Sequence, residues 1–144
     1  MSSQREAVRR VAAMTFDQLL EKVRYDGAYP TRARAEEAAR LVLGGLGRQL
    51  TGDERVDLAA RLPVEAAAVL TAEIPDIEPL TGWGFVKDLA TRAGAPAATT
   101  RWDTGAVLTT VAALAGPELM TRILDRLPSG YALLFGRVEL IQAA

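Results

Sequence analysis

The sequence predicts an all-α fold, a helical bundle of about eight helices built from two pseudo-symmetric helical repeats. Three observations lead to this fold class. Hydrophobic residues form 49% of the chain and aromatic residues only 6%, so alanine supplies much of the apolar content and small side chains favour closely packed helices. Apolar residues recur three and four positions apart along most of the chain. The tripeptide Arg-Leu-Pro occurs twice, beginning at Arg61 and at Arg126.

The first predicted helix of the body follows an N-terminal helical extension, residues 1–14. Thr15 and Gln18 form a capping box, the pattern in which two side chains satisfy the first backbone N–H groups of a helix. Gly27 predicts the end of this helix, because glycine tolerates the left-handed cap. Between them, the apolar residues at helical spacing are Phe16, Leu19, Leu20 and Val23.

A longer helix is predicted after Thr31, the next N-cap candidate. Its apolar stripe consists of Ala35, Ala38, Ala39, Val42, Leu46 and Leu50. Three glycines inside it each cost about 1 kcal/mol relative to alanine. We therefore expect another backbone to approach closely at the glycines, or the helix to bend there. These glycines are Gly44, Gly45 and Gly47.

Two shorter helices complete the first half. The segment Thr51 to Glu54 reads as a second capping box and opens a helix that runs to Leu62. Pro63 does not continue that helix but suits the first turn of the next one, which ends before Pro75.

Residues 75–82 are the least helical part of the chain and separate the two halves. This connector carries prolines and glycine, yet Ile77 and Leu80 lie within it and Trp83 follows it. Because a free linker does not need apolar residues, the sequence predicts a packed connector.

The second half repeats the order of the first. Gly94 ends its first helix, and Thr99 or Thr100 caps a long second helix. Pro117 opens the third helix, and Pro128 breaks the chain before a short final one. The large side chains expected in the core of this half include Trp102 and Phe135.

An offset of 65 positions relates Arg61 to Arg126 and also aligns Leu62 with Leu127. We interpret this as an internal duplication. A half of about 60 residues is marginally stable alone, so we expect the halves to bury their apolar stripes against each other. The predicted single domain, residues 15–144, comprises repeat one (15–74), the connector (75–82), repeat two (83–136) and a tail (137–144).

The segments "EEAARLVLGGLGRQLTGDERVDLAARLP" and "LDRLPSGYALLFG" resemble the two halves of a bacterial domain of unknown function, family 2267 (DUF2267). The resemblance covers about residues 15 to 138 and is most specific at the two Leu-Pro segments. It implies an all-helical fold. It implies no activity and no catalytic residues, because none is established for the family.

Composition excludes several classes of function. The chain has no cysteine and no histidine, which removes disulfides, thiol nucleophiles and imidazole ligands or bases. A formal charge of -1 gives no basic face for nucleic acid. No apolar run suits a signal peptide or a membrane span, so we expect a cytoplasmic protein. We expect no cofactor, no metal and no enzymatic activity; an enzyme using only Asp, Glu, Arg and Tyr ranks well below the other hypotheses.

Arg32 and Arg34 are candidates for a ligand surface, because they fall in a predicted first helical turn, where the helix dipole disfavours cations. An anionic partner would relieve that conflict. The alternative is that both point to water or pair with Glu36 and Glu37.

Arg61 and Arg126 are a second candidate, a symmetric pair of cations on one surface. The alternative pairs Arg61 with Asp57 one turn earlier and uses Arg126 to cap the last carbonyls of its helix.

Trp83 and Phe85 are the third candidate, since aromatic residues anchor interfaces. With glycines on both sides, Trp83 is the aromatic residue most expected to be exposed.

The favoured hypothesis is a protein–protein interaction or scaffold module, with an unknown partner or self-association. The alternative is a small-molecule binding protein that holds an apolar or anionic ligand in a cleft between the two repeats.

Overall fold

The computed structural model describes residues 14–137, and within this range the fold is all-helical. The predicted all-α class is therefore confirmed. The extension proposed for residues 1–13 and the tail proposed for residues 138–144 lie outside the described residues. The eight described helices are α1 (Phe16–Gly27), α2 (Arg32–Gln49), α3 (Gly52–Arg61), α4 (Val64–Ala72), α5 (Gly82–Ala93), α6 (Ala97–Ala115), α7 (Pro117–Arg126) and α8 (Tyr131–Leu134).

The predicted starts of α1 and α2 are confirmed. Thr15 and Gln18 form both hydrogen bonds of the capping box, and the Thr31 hydroxyl accepts from the Arg34 N–H. Helix α1 ends at Gly27, as predicted, but the left-handed cap expected of this glycine is wrong, because Ala28 adopts that conformation, with φ of 53°. Gly27 is needed for space instead, since a methyl group there would overlap the buried Tyr29 ring.

Two other predicted caps are wrong. Thr51 occupies the N-cap position of α3, but its side chain forms no capping hydrogen bond. The long helix α6 begins after Pro96, so Thr99 and Thr100 lie inside it, and the Thr100 hydroxyl donates to the Pro96 carbonyl over 3.1 Å. The proline holds extended backbone before the helix and allows it to begin earlier than the threonines indicated.

The central helix is α2, which contacts α1, α4, α5 and α6. Every residue of its predicted apolar stripe is buried. The helix is continuous through its glycines, and the expected close approach occurs at Gly47, where a methyl group would overlap the Leu70 carbonyl of α4.

Arg55 joins the ends of α2 and α4. Its guanidinium donates to the carbonyls of Gly47 and Leu50, and to those of Leu70 (3.2 Å) and Glu73 (2.6 Å). The last carbonyls of a helix have no partner within the helix, so one side chain satisfies four such groups. Nothing in the sequence pattern marked this residue.

The buried apolar side chains of both halves form one contiguous core. Helices of the first half contact those of the second at α1–α6, α2–α6, α2–α5 and α3–α7. Leu62 and Leu127 are both buried, and each lies in extended backbone directly after its helix. The duplication itself stays a prediction.

Among the helices of residues 14–137, none combines the length and the apolar character that a membrane span requires.

Candidate functional site

The connector exposes its apolar side chains. Ile77 is 99% exposed, so the prediction of a packed connector is wrong for this residue, and Leu80 is half-buried. Ile74, which directly precedes the connector, is 83% exposed. The physical reason is that backbone hydrogen bonds, not side-chain packing, hold this segment. The Asp76 N–H donates to the Arg48 carbonyl over 2.8 Å, and the Leu80 N–H donates to the Gln49 side chain over 2.9 Å.

A surface groove of about 590 Å³ follows the connector. Its lining combines isoleucine, leucine and proline side chains with three carboxylates. We call this feature the connector groove; the residues used below are Ile74, Ile77, Leu80, Asp76, Glu78 and Asp88.

The two aromatic candidates, Trp83 and Phe85, differ in exposure. Trp83 is 60% exposed, as predicted, whereas Phe85 is only 1% exposed. The placement of Phe85 on a partner surface is therefore wrong. Two residues apart on α5 means about 200° around the helix, so the two rings point in opposite directions. The Phe85 ring packs edge-on against Tyr131, with 5.4 Å between ring centroids.

Arg32 and Arg34 lie in the first turn of α2, as predicted, but the protein's own carboxylates occupy them. Arg32 pairs with Asp17, and Arg34 lies 2.9 Å from Asp103 and 3.3 Å from Glu37. The Glu37 pair matches the alternative given above, and the other two partners were not foreseen. The hydrogen bond that Arg34 donates to the Asp103 carboxylate raises the pKa of Arg34, against the opposing effect of burial.

Asp103 is the centre of a buried polar network that the sequence analysis missed. It is 4% exposed, and its carboxylate accepts from the Tyr29 hydroxyl over 2.6 Å and from Arg34. Burial, together with the hydrogen bond to Asp103, raises the pKa of Tyr29. One signal was available, because Asp103 lies four and eight residues before Val107 and Val111 and therefore belongs to their buried stripe.

Trp102, expected in the core, is 58% exposed. The expectation is wrong because the indole lies across the end of α1, where its Nε1 donates to the Gly27 carbonyl over 2.8 Å.

Trp102 contributes to two grooves between the halves, of about 850 and 520 Å³. We call the larger one the indole groove; the residues used below are Lys22, Asp26, Ala98, Arg101, Trp102, Gly105 and Ala106.

Arg61 and Arg126 do not form the symmetric cation pair. Arg61 donates to the Ala115 carbonyl over 3.3 Å, and Arg126 donates to Glu54 over 3.1 Å. The alternative partners given for them are also wrong. Asp57 pairs with Arg122 at 2.6 Å instead of with Arg61, and the Arg126 guanidinium is used on Glu54, not on the last carbonyls of its own helix. The two halves differ at these positions, so the repeated arginines meet different acceptors.

Glu54, a first-turn acid of α3, accepts from Arg122 as well as from Arg126 and is itself buried. Burial acts to raise the pKa of this carboxyl, but hydrogen bonds from the backbone and from the two arginines outweigh it, and the pKa is lowered. The three charged groups join α3 to α7. This arrangement is a structural contact between the halves.

The sequence profile of the family described as "Uncharacterized conserved protein (DUF2267)" matches residues 16–134, which is more than half of the chain. No curated protein matches the chain. The family resemblance drawn from the two Leu-Pro segments is thereby confirmed at the level of the family. The chain belongs to the uncharacterised conserved protein family DUF2267.

Proposed function

We propose that the protein is a protein–protein interaction module that docks through the connector groove. The observation that carries the proposal is the near-complete exposure of Ile77 on a hydrogen-bonded backbone. A single exposed apolar residue needs no explanation, but two exposed isoleucines beside the half-buried Leu80 in one groove indicate a contact surface.

The connector is held at both ends. Beyond its two hydrogen bonds to the end of α2, the Tyr131 hydroxyl donates to the Leu80 carbonyl over 3.0 Å, and the Gly82 N–H donates to the Ser129 carbonyl over 2.8 Å. A backbone fixed in this way loses little conformational freedom when a partner binds. The isoleucines are therefore presented in a pre-organised form.

The charges around the groove define the partner. Asp76, Glu78 and Asp88 contribute three carboxylates to its lining, although Asp88 also pairs with Arg92 at 2.9 Å. Complementary charge at the rim of an interface steers association and selects partners. The partner we propose is a protein that inserts an apolar side chain between Ile74 and Ile77 and carries Lys or Arg beside it.

The same charges argue against a symmetric dimer through this groove. In a two-fold interface the same patch faces itself, so the carboxylates of two copies would lie opposite one another. Like charges across an interface oppose binding. We therefore favour a basic partner over a second copy of this chain.

The test places a photo-crosslinking amino acid at position 77 of the full chain, expressed in its own cell. The matched control carries it at position 64, because Val64 is also an exposed apolar residue but lies at the start of α4. We expect a discrete adduct at position 77 only. Glu78→Lys should reduce the adduct, because it replaces a rim carboxylate by a cation.

Equal labelling from positions 64 and 77 would contradict the proposed surface. An adduct with the mass of two copies would show self-association and overturn the basic partner. Ile77→Ser should leave the unfolding temperature unchanged, since the side chain packs against nothing in the described fold. A loss of stability in that variant would assign Ile77 a structural role.

We also propose that the two halves arose by duplication. The helices have 12, 18, 10 and 9 residues in the first half and 12, 19, 10 and 4 in the second. Asp57 and Arg122 are separated by the repeat offset of 65 and contact each other. A contact between equivalent positions is what a two-fold relation between α3 and α7 would place at its axis.

A further inference from the structure

Trp102 presents an aromatic face in a fixed orientation beside the indole groove. The hydrogen bond from its Nε1 to the Gly27 carbonyl anchors the edge of the ring, and more than half of the residue is exposed. An exposed tryptophan usually gains little from being held in place. Here the ring is held by the last turn of α1, a helix of the other half, so the groove beside it exists only in the assembled fold.

The buried network next to the ring fixes the position of α6. Asp103, the neighbour of Trp102, accepts from Tyr29, which lies in the turn between α1 and α2, and from Arg34 in the first turn of α2. Hydrogen bonds to a buried carboxylate are strong and directional. They prevent α6 from turning the indole away from Gly27, and a ligand would meet a pre-formed surface.

Small residues of α6 line part of the indole groove, next to the larger Thr109, and leave room there for a flat molecule. Ala98, Gly105 and Ala106 contribute to its lining from α6 and carry no side chain larger than a methyl group. An aromatic ring stacks on tryptophan in an offset or edge-on arrangement. The small residues beside Trp102 therefore suit a planar aromatic ring.

The charge of the groove selects an anion. Lys22 and Asp26 neutralise each other at 2.8 Å. Arg101 is the additional cation of the lining, and its guanidinium lies beside Gly105, 2.9 Å from where a methyl group on that glycine would be. A guanidinium binds a carboxylate through two parallel hydrogen bonds.

We propose that the indole groove binds a planar aromatic anion, with its ring on Trp102 and its carboxylate on Arg101. This site lies apart from the connector groove. Its ligand is a small molecule, and neither its presence nor its absence bears on the protein partner proposed above.

The chain's two tryptophans supply an internal control. In an ¹⁵N-labelled sample, their indole N–H groups give two NMR signals, which Trp83→Phe assigns. The probes are 2-naphthoate and the neutral 2-naphthylmethanol, each titrated to about 5 mM, the range of a weak fragment-sized ligand. We expect a saturable shift of the Trp102 signal, an unmoved Trp83 signal, and tighter binding of the naphthoate.

Arg101→Gln tests the contact with the anion. We expect it to weaken naphthoate binding about two- to fivefold, the range for one exposed ion pair, and to leave naphthylmethanol binding unchanged. Lys87→Gln is the matched control, because it removes the same charge from an exposed position on α5. It should affect neither probe.

Equal affinity for the two probes would overturn the assignment of an anion. Equal shifts of both tryptophan signals, or no saturable shift of Trp102, would overturn the site itself. Trp102→Leu should abolish the binding of both probes while the helical circular dichroism spectrum is retained. Unchanged affinity in that folded variant would also overturn the proposal.

Discussion

At Glu54 a single carboxylate joins two arginines of the neighbouring helix. Its pKa is lowered below the ordinary value of 4.5 in the folded protein. Because the folded state favours the ionised form, the stabilisation is present above pH 4.5 and is lost as the pH falls through the lower, folded pKa. We expect Glu54→Gln to be less stable than the wild type at pH 7, and the difference to shrink as the pH falls below the folded pKa, where both states are protonated.

Denaturant unfolding at several pH values and low ionic strength measures this difference. Glu65→Gln is the matched control, since Glu65 is also a first-turn acid but lies exposed on α4. It should show only the small effect of a charge at a helix N-terminus. A Glu54→Gln deficit that is the same at both pH extremes would mean that side-chain packing, not charge, carries the contact.

Single residues were the least predictable level. Trp102 was placed inside because it is large and lies near the apolar stripe of α6, yet Asp103 and Thr104 are the buried residues there. Both polar groups are satisfied: the Thr104 hydroxyl donates to the Thr100 carbonyl over 2.7 Å, and Asp103 accepts from Tyr29. The Tyr29 partner lies 74 positions away in the chain, and no local pattern reveals such a pairing.

Among the elements, α2 contains glycines in two different environments. A methyl group at Gly47 would overlap the Leu70 carbonyl, whereas a methyl group at Gly44 would find its nearest neighbours at 3.7 Å, an ordinary contact. We expect Gly44→Ala to stabilise the protein by up to about 1 kcal/mol through helix propensity. Gly47→Ala should instead destabilise it by about 1–3 kcal/mol, because α4 must move away.

Urea unfolding of the two variants compares identical substitutions three residues apart in one helix. A stabilised Gly47→Ala would show that α4 yields without cost and that the close approach is not a constraint. If Gly44→Ala were also destabilised, the space beside Gly44 would be smaller than the contact distances indicate.

Elements were more predictable than residues, because their ends depend on neighbouring residues. The capping box at Thr15, the left-handed Gly94 and the helix-opening Pro117 are all found where the sequence placed them. Thr51 fails as a cap although it lies in the right place. The prediction of a packed connector was wrong at Ile77, because the exposure of this residue depends on hydrogen bonds from the connector backbone to the end of α2, a distant helix.

At the scale of the whole molecule, the two halves share one core, and this makes equivalent positions comparable. Leu62 and Leu127 are both buried directly after helices of 10 residues. We expect Leu62→Ala and Leu127→Ala each to lower the free energy of unfolding by about 2–4 kcal/mol, and by similar amounts, since each leaves a cavity in the same core.

Hydrogen exchange in moderate denaturant then shows whether the two halves unfold as one cooperative unit or as two. Because the apolar side chains of α1, α2, α5 and α6 belong to one cluster, either substitution should accelerate exchange in helices of both halves to the same extent. Acceleration confined to the substituted half would mean that the halves unfold independently. Their contact through α1–α6 and α3–α7 would then be a docking surface between two stable units, and each half would stay folded without the other half.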